Sequence, residues 1–155
     1  MKTMIKITTI LLVAMVTIMT FGCGKEEVAD IDIDRLCSEL LEQAEFEDEL
    51  SQVDDEVIKM LYGINDYAQA QVYISSGATA EEIAVFEFSD TNTATNGFQM
   101  AQNRLEEQKE DFESYIPKEI RKLDRAVVLK VGKYVVVCVS NGDTAEKIIT
   151  QFLGR

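Results

Sequence analysis

Residues 68–89 read AQAQVYISSGATAEEIAVFEFS, and the period of this stretch decides the fold. Ala68, Ala70, Val72 and Ile74 alternate with polar or aromatic neighbours, as one face of a half-buried strand does. Ser75-Ser76-Gly77-Ala78 supplies turn residues, and Glu82 to Ser89 resumes with the β-branched and aromatic residues of a second strand. Thr79-Ala80-Glu81-Glu82 also matches a capping box, but the residues that follow it favour a strand over a helix. The two segments are expected to pair as a hairpin.

Working outward, the period changes from two to about 3.6 on both sides. Upstream, Ile33, Leu36, Cys37, Leu40, Leu41 and Ala44 recur at helical steps, which puts Cys37 on a buried face. A shorter helix follows from Asp54 to Leu61 and ends at Gly63. Downstream, Thr95 to Tyr115 forms the clearest helix. Phe98, Ala101, Leu105, Phe112 and Tyr115 line one side, opposite Glu106, Glu107, Lys109, Glu110 and Asp111. Pro117, the only proline, stops it. Ala126–Val131 and Lys133–Ser140 read as two strands joined at Gly132, the second apolar enough to be central. Asp143 is expected to cap a last helix through Ile148, Ile149 and Phe152. The expected fold is therefore α+β: a two-layer sandwich with an antiparallel four-stranded sheet and helices on one face, a ββαββα core preceded by N-terminal helices.

The chain has 155 residues, 28 acidic, 15 basic and no histidine, for a net charge of −13. Only Lys2 and Lys6 of the basic residues precede Cys23, and no acidic residue does, so the chain from Cys23 onward carries −15. Such a surface repels phosphate backbones and anionic headgroups, which argues against nucleic-acid binding and favours cations or basic partners. The absence of histidine removes Ser-His-Asp and Cys-His nucleophiles and histidine-containing zinc sites. The three cysteines form no CxxC pair, and there is no phosphate-binding glycine loop or GxSxG elbow. No cofactor is expected. Cys37 and Cys138 meet if the first helix packs on the central strand; a disulfide and a pair of buried thiols are both open.

The N-terminus carries an address. Two lysines are followed by an apolar run from Ile7 to Phe21 and then by Gly22-Cys23-Gly24-Lys25, the order of a secretory signal peptide. As a helix the run would span ~22 Å, short of the ~30 Å hydrocarbon core. Thr20-Phe21-Gly22-Cys23 resembles a bacterial lipobox, in which cleavage before the cysteine follows attachment of a diacylglycerol to its sulfur. Thr20 and Phe21 depart from the usual pattern, whereas Gly22 is the small residue it needs. The alternatives are an uncleaved anchor and an ordinary cleavage site that happens to adjoin a cysteine. The expected organisation is a lipoprotein signal peptide over 1–22, a lipidated Cys23 with an acidic tether over 23–32, and one domain over 33–155.

Fourteen acidic residues fall between Glu26 and Glu56, against Arg35 alone among basic ones after Lys25. Asp30-Ile31-Asp32-Ile33-Asp34 suggests calcium, but an EF-hand loop would need glycine and glutamate where Arg35 and Leu41 stand. Helix capping by Asp32 or Asp34 is the better account.

Several stretches resemble a family of small extracytoplasmic lipoproteins from clostridial-type Gram-positive bacteria, catalogued as a domain of unknown function. They are Leu61-Tyr62-Gly63-Ile64-Asn65, Ser75 to Phe86, Arg104 to Pro117 and Gly132 to Val137. The resemblance spans roughly residues 33–153 and implies a lipid-anchored protein outside the cytoplasm. It brings no catalytic residues; only the lipobox cysteine, Cys23, is carried over.

The expected function is thus a non-enzymatic binding or interaction module held at the cell envelope by its lipid, with an envelope protein or a basic peptide as partner. Tyr62, Tyr67 and Tyr73 are candidate contact residues. A carboxylate-based hydrolase using two of Asp66, Glu81, Glu82, Glu87 and Asp90 is the alternative from another class. A small solute- or cation-binding lipoprotein is the third.

Overall fold

The computed structural model describes residues 30–154; the expected signal peptide and Cys23 lie outside the described residues. The sheet has five antiparallel strands in the order β1-β2-β3-β5-β4: β1 (Ser51–Gln52), β2 (Gln69–Ile74), β3 (Glu82–Glu87), β4 (Val127–Val131) and β5 (Tyr134–Val139). The quoted hairpin forms as expected, with Val72 opposite Ala84 and Ile74 opposite Glu82. β4 and β5 turn on Gly132, whose φ of +54° suits glycine.

Among the described residues there are five α-helices: α1 (Ile33–Gln43), α2 (Asp55–Tyr62), α3 (Thr91–Tyr115), α4 (Ile120–Leu123) and α5 (Thr144–Phe152). Asp32 caps α1 by accepting from the Arg35 N–H at 3.0 Å, and Asp54 caps α2 through the Val57 N–H. Gly63, at φ +66°, ends α2. Asp143 stands at the start of α5 but makes no side-chain cap bond.

Two expectations about the sheet are corrected. A fifth strand, β1, adds two residues beside β2; a segment that short carries no periodicity to detect. The helices also cover both faces rather than one. On the first face, α1 and α5 pack over Ile83, Val85, Val136 and Cys138. On the second, α2, α3 and α4 pack over Val72, Ala84, Phe86, Val135 and Val137. Register explains the division: Ile83 faces Cys138 and Val85 faces Val136 on one side, while Ala84 faces Val137 and Phe86 faces Val135 on the other. Every residue of β5 is buried, so neither of its faces can be left to water.

Three further details differ from expectation. α3 starts at Thr91, not Thr95, because the Asp90 carboxylate accepts from the backbone N–H groups of Asn92 and Thr93. Tyr115 is 78% exposed, and the buried face of α3 instead includes Gln108. Pro117 stops α3 but also opens a 3₁₀ turn, Pro117–Glu119, that leads into α4.

Candidate functional site

Glu81 and Glu82 are adjacent in sequence, both 1% exposed, and each serves a different cluster. Glu81 accepts from the backbone N–H groups of Glu47 and Asp48 at 2.8 and 2.9 Å, and from the Thr79 hydroxyl. Lys122 of α4 places its ammonium 3.0 Å from Glu81, 3.0 Å from Glu119 and 3.4 Å from Glu47. Glu119 in turn accepts from the Ala80 N–H. This cluster ties the loop before β1, the β2–β3 connection and α4 together. Its buried carboxylates are occupied by backbone and ammonium donors, as a fold-fixing network requires. Lys122 and the hydrogen bond from Asn141 hold the Glu47 carboxyl below its ordinary range.

Glu82 points to the second face. Tyr62 donates its hydroxyl to it from α2, while Arg104 and Gln108 donate from α3 at 3.3 and 3.1 Å. Burial raises the Glu82 carboxyl despite these donors, and burial together with the Glu82 charge raises the Tyr62 hydroxyl well above its ordinary value. Arg104 Nε and Gln108 Oε1 are buried without a partner.

In front of this cluster lies a cleft between α2 and α3, lined by Met60, Leu61, Tyr62, Met100, Asn103 and Arg104. A second cleft of about 170 Å³ lies beside it, and Gly63 and Met100 border both. Side by side, the two form a groove along one stripe of α3: Thr93, Asn96 and Gly97 at one end, then Met100, then Asn103, Arg104 and Glu107. Steps of three and four residues place them on a single helical face. Phe88 forms part of the lining because Gly97 has no side chain to displace its ring. Met60 is 74% exposed and Met100 39%.

The residues singled out in the sequence are dispersed. Asp90 caps α3, Glu87 accepts from Lys133 at 2.6 Å, and Asp66 lines the groove. Glu81 and Glu82 belong to the two separate buried clusters. Of the tyrosines, Tyr62 is buried rather than exposed, although it borders the cleft; Tyr67 and Tyr73 are half-buried, with Tyr67 donating to Asp55. Asp30, Asp32 and Asp34 turn to three different partners, namely Lys133, the Arg35 N–H and Gln71. Among the described residues, no group of three or more Cys, Asp or Glu side chains is arranged to hold a metal ion. Cys37 and Cys138 are buried free thiols.

Sequence reasoning missed Arg104, Gln108, Glu119 and Lys122. Gln108 was findable: it continues the apolar stripe Ala101-Leu105 at a three-residue step, so a polar side chain was headed for the interior.

Residues 42–140 match a domain of unknown function, DUF4358, and the chain belongs to that family. The matched segment contains all five strands and the helices that frame the groove. No curated protein and no solved structure matches the chain.

Proposed function

We propose that this member of the DUF4358 family is a lipid-anchored binding module on the outer face of the cell membrane, of the kind found among small lipoproteins of clostridial-type Gram-positive bacteria. The observation that carries the proposal is Cys23 itself, set after Gly22 at the end of a 15-residue apolar run and before a charged segment. Two acyl chains, each methylene contributing ~0.8 kcal/mol, suffice for a stable anchor. Among the described residues no helix is long and apolar enough to cross a membrane.

The contacts of Asp30 and Ile31 fit the same arrangement. Asp30 is held by Lys133 at 3.1 Å, and the Ile31 N–H donates to the Tyr134 hydroxyl. Seven residue steps separate Cys23 from Asp30, a reach of at most ~25 Å. The β4–β5 turn end of the domain therefore stays within that distance of the lipid.

Growing cells with an alkyne-bearing fatty acid tests the anchor. Wild-type protein should take up label and stay with membranes in plain buffer, and Cys23→Ala should do neither. Equal labelling of the two removes the lipid from the account.

A further inference from the structure

We propose that the groove between α2 and α3 is a peptide-binding site that takes an extended basic segment with apolar side chains at its centre. The inference rests on the binding-module half of the function proposed above and not on the lipid.

Length comes first. From Thr93 to Glu107 the groove follows fourteen helical steps, about 21 Å, which an extended chain of about six residues covers. The middle of the groove is apolar. Met60 and Met100 stand on opposite walls, and unbranched thioethers adapt to varied apolar side chains. Exposed large apolar side chains facing each other across a cleft mark a contact surface more than scattered ones do.

The polar groups match a peptide backbone. Asn96 offers a donor and an acceptor, as a peptide group does, and Asn103, whose Oδ1 accepts from Gln99, offers its amide donors. Arg104 lines the groove with the 15% of its side chain that remains exposed, while its buried edge is held by Glu82. Its Nε–H has no partner but is buried, out of reach of a ligand in the groove, so only the exposed part of the side chain can meet a peptide carbonyl.

Charge selects the class of peptide. Asp66 stands near one end of the groove and Glu107 near the other, in a chain of net charge −13. Lysine or arginine flanking the apolar centre meets both carboxylates. The same charges disfavour an anionic bilayer and a second copy of this chain as occupants.

The test uses the purified full chain and three fluorescein-labelled hexapeptides, KKVLKK, EEVLEE and KKSGKK, followed by fluorescence anisotropy. KKVLKK should bind saturably and at least tenfold more tightly than either of the others. The double substitution Met60→Ser with Met100→Ser should weaken it at least fivefold while the far-UV circular dichroism of the folded protein is kept, since Met60 is 74% and Met100 39% exposed. Equal binding of KKSGKK, indifference to the double substitution, or no saturation by 1 mM peptide would overturn the proposal. So would self-association, or capture by phosphatidylglycerol vesicles, that the double substitution abolishes. Repeating the titration with Cys23→Ala separates the two claims. Peptide binding without the lipid leaves the groove standing, whereas lipid labelling without peptide binding removes the groove alone.

Discussion

The Phe88 ring occupies the space that a side chain on Gly97 would need: a Cβ there would stand 2.1 Å from Phe88 Cζ. Glycine in the middle of a 25-residue helix is otherwise a cost, of roughly 0.5–1 kcal/mol against alanine. Here it lets β3's trailing aromatic pack directly on the α3 backbone, and the Phe86 and Phe88 rings stack with centroids 6.0 Å apart.

Gly97→Ala should therefore destabilise the domain. Overpacking costs about 1–3 kcal/mol, and the helix gain recovers only part of it. Urea unfolding should show a lower midpoint, and Phe88→Leu should relieve part of the loss in the double variant. A Gly97→Ala protein as stable as wild type would mean the ring moves aside freely.

This contact also shows where the sequence was legible. The strands β2 to β5 declared themselves because their side chains alternate or are uniformly apolar over five or six residues, longer than chance patterning. The start of α3 did not, since Thr91 to Gly97 is rich in poor helix formers and its support is a carboxylate cap plus a ring contact. Two-sided coverage of the sheet was legible in principle: YVVVCV has no polar face, and a strand buried on both sides needs a layer on each. The buried ions were not. Lys122 and Glu119 read as surface charges until the 3₁₀ turn after Pro117 carries them back under the β2–β3 connection.

Lys122→Met tests that network. The substitution leaves Glu81 and Glu119, both 1% exposed, without their shared cation. Breaking a buried pair in this way costs about 3–5 kcal/mol. Chemical denaturation should show a loss of that size at pH 7, and Lys122→Arg should recover part of it. A loss under 1 kcal/mol would show that water or a second cation replaces the ammonium.

The thiols give a prediction about reactivity. Burial pushes Cys37 and Cys138 each up to about 12. At pH 8 about one in 10,000 of either would be thiolate, the form that attacks alkylating reagents. Iodoacetamide followed by peptide mass spectrometry should leave both unmodified in the native protein and label both in 8 M urea. Rapid native labelling of Cys37 would mean that α1 opens locally, well below the cost of global unfolding.

Glu82 supplies the last prediction, a dependence of stability on pH. It is faced by Tyr62 from α2 and by Arg104 and Gln108 from α3, and burial still lifts its carboxyl above the ordinary 4.5. A raised folded value means that the native state holds the proton more tightly than the unfolded chain does. Its contribution is then fully present below pH 4.5 and is lost as the pH climbs through the higher folded value. Glu82→Gln keeps the shape and cannot ionise. Subtracting the variant's unfolding free energy from that of wild type, measured in urea between pH 3 and pH 8, cancels the many exposed carboxylates common to both. The difference should be flat at the acid end and move against wild type as the pH rises. A difference that moves in favour of wild type would show that the Arg104 and Tyr62 donors outweigh burial, and that Glu82 is a net source of stability in its charged form.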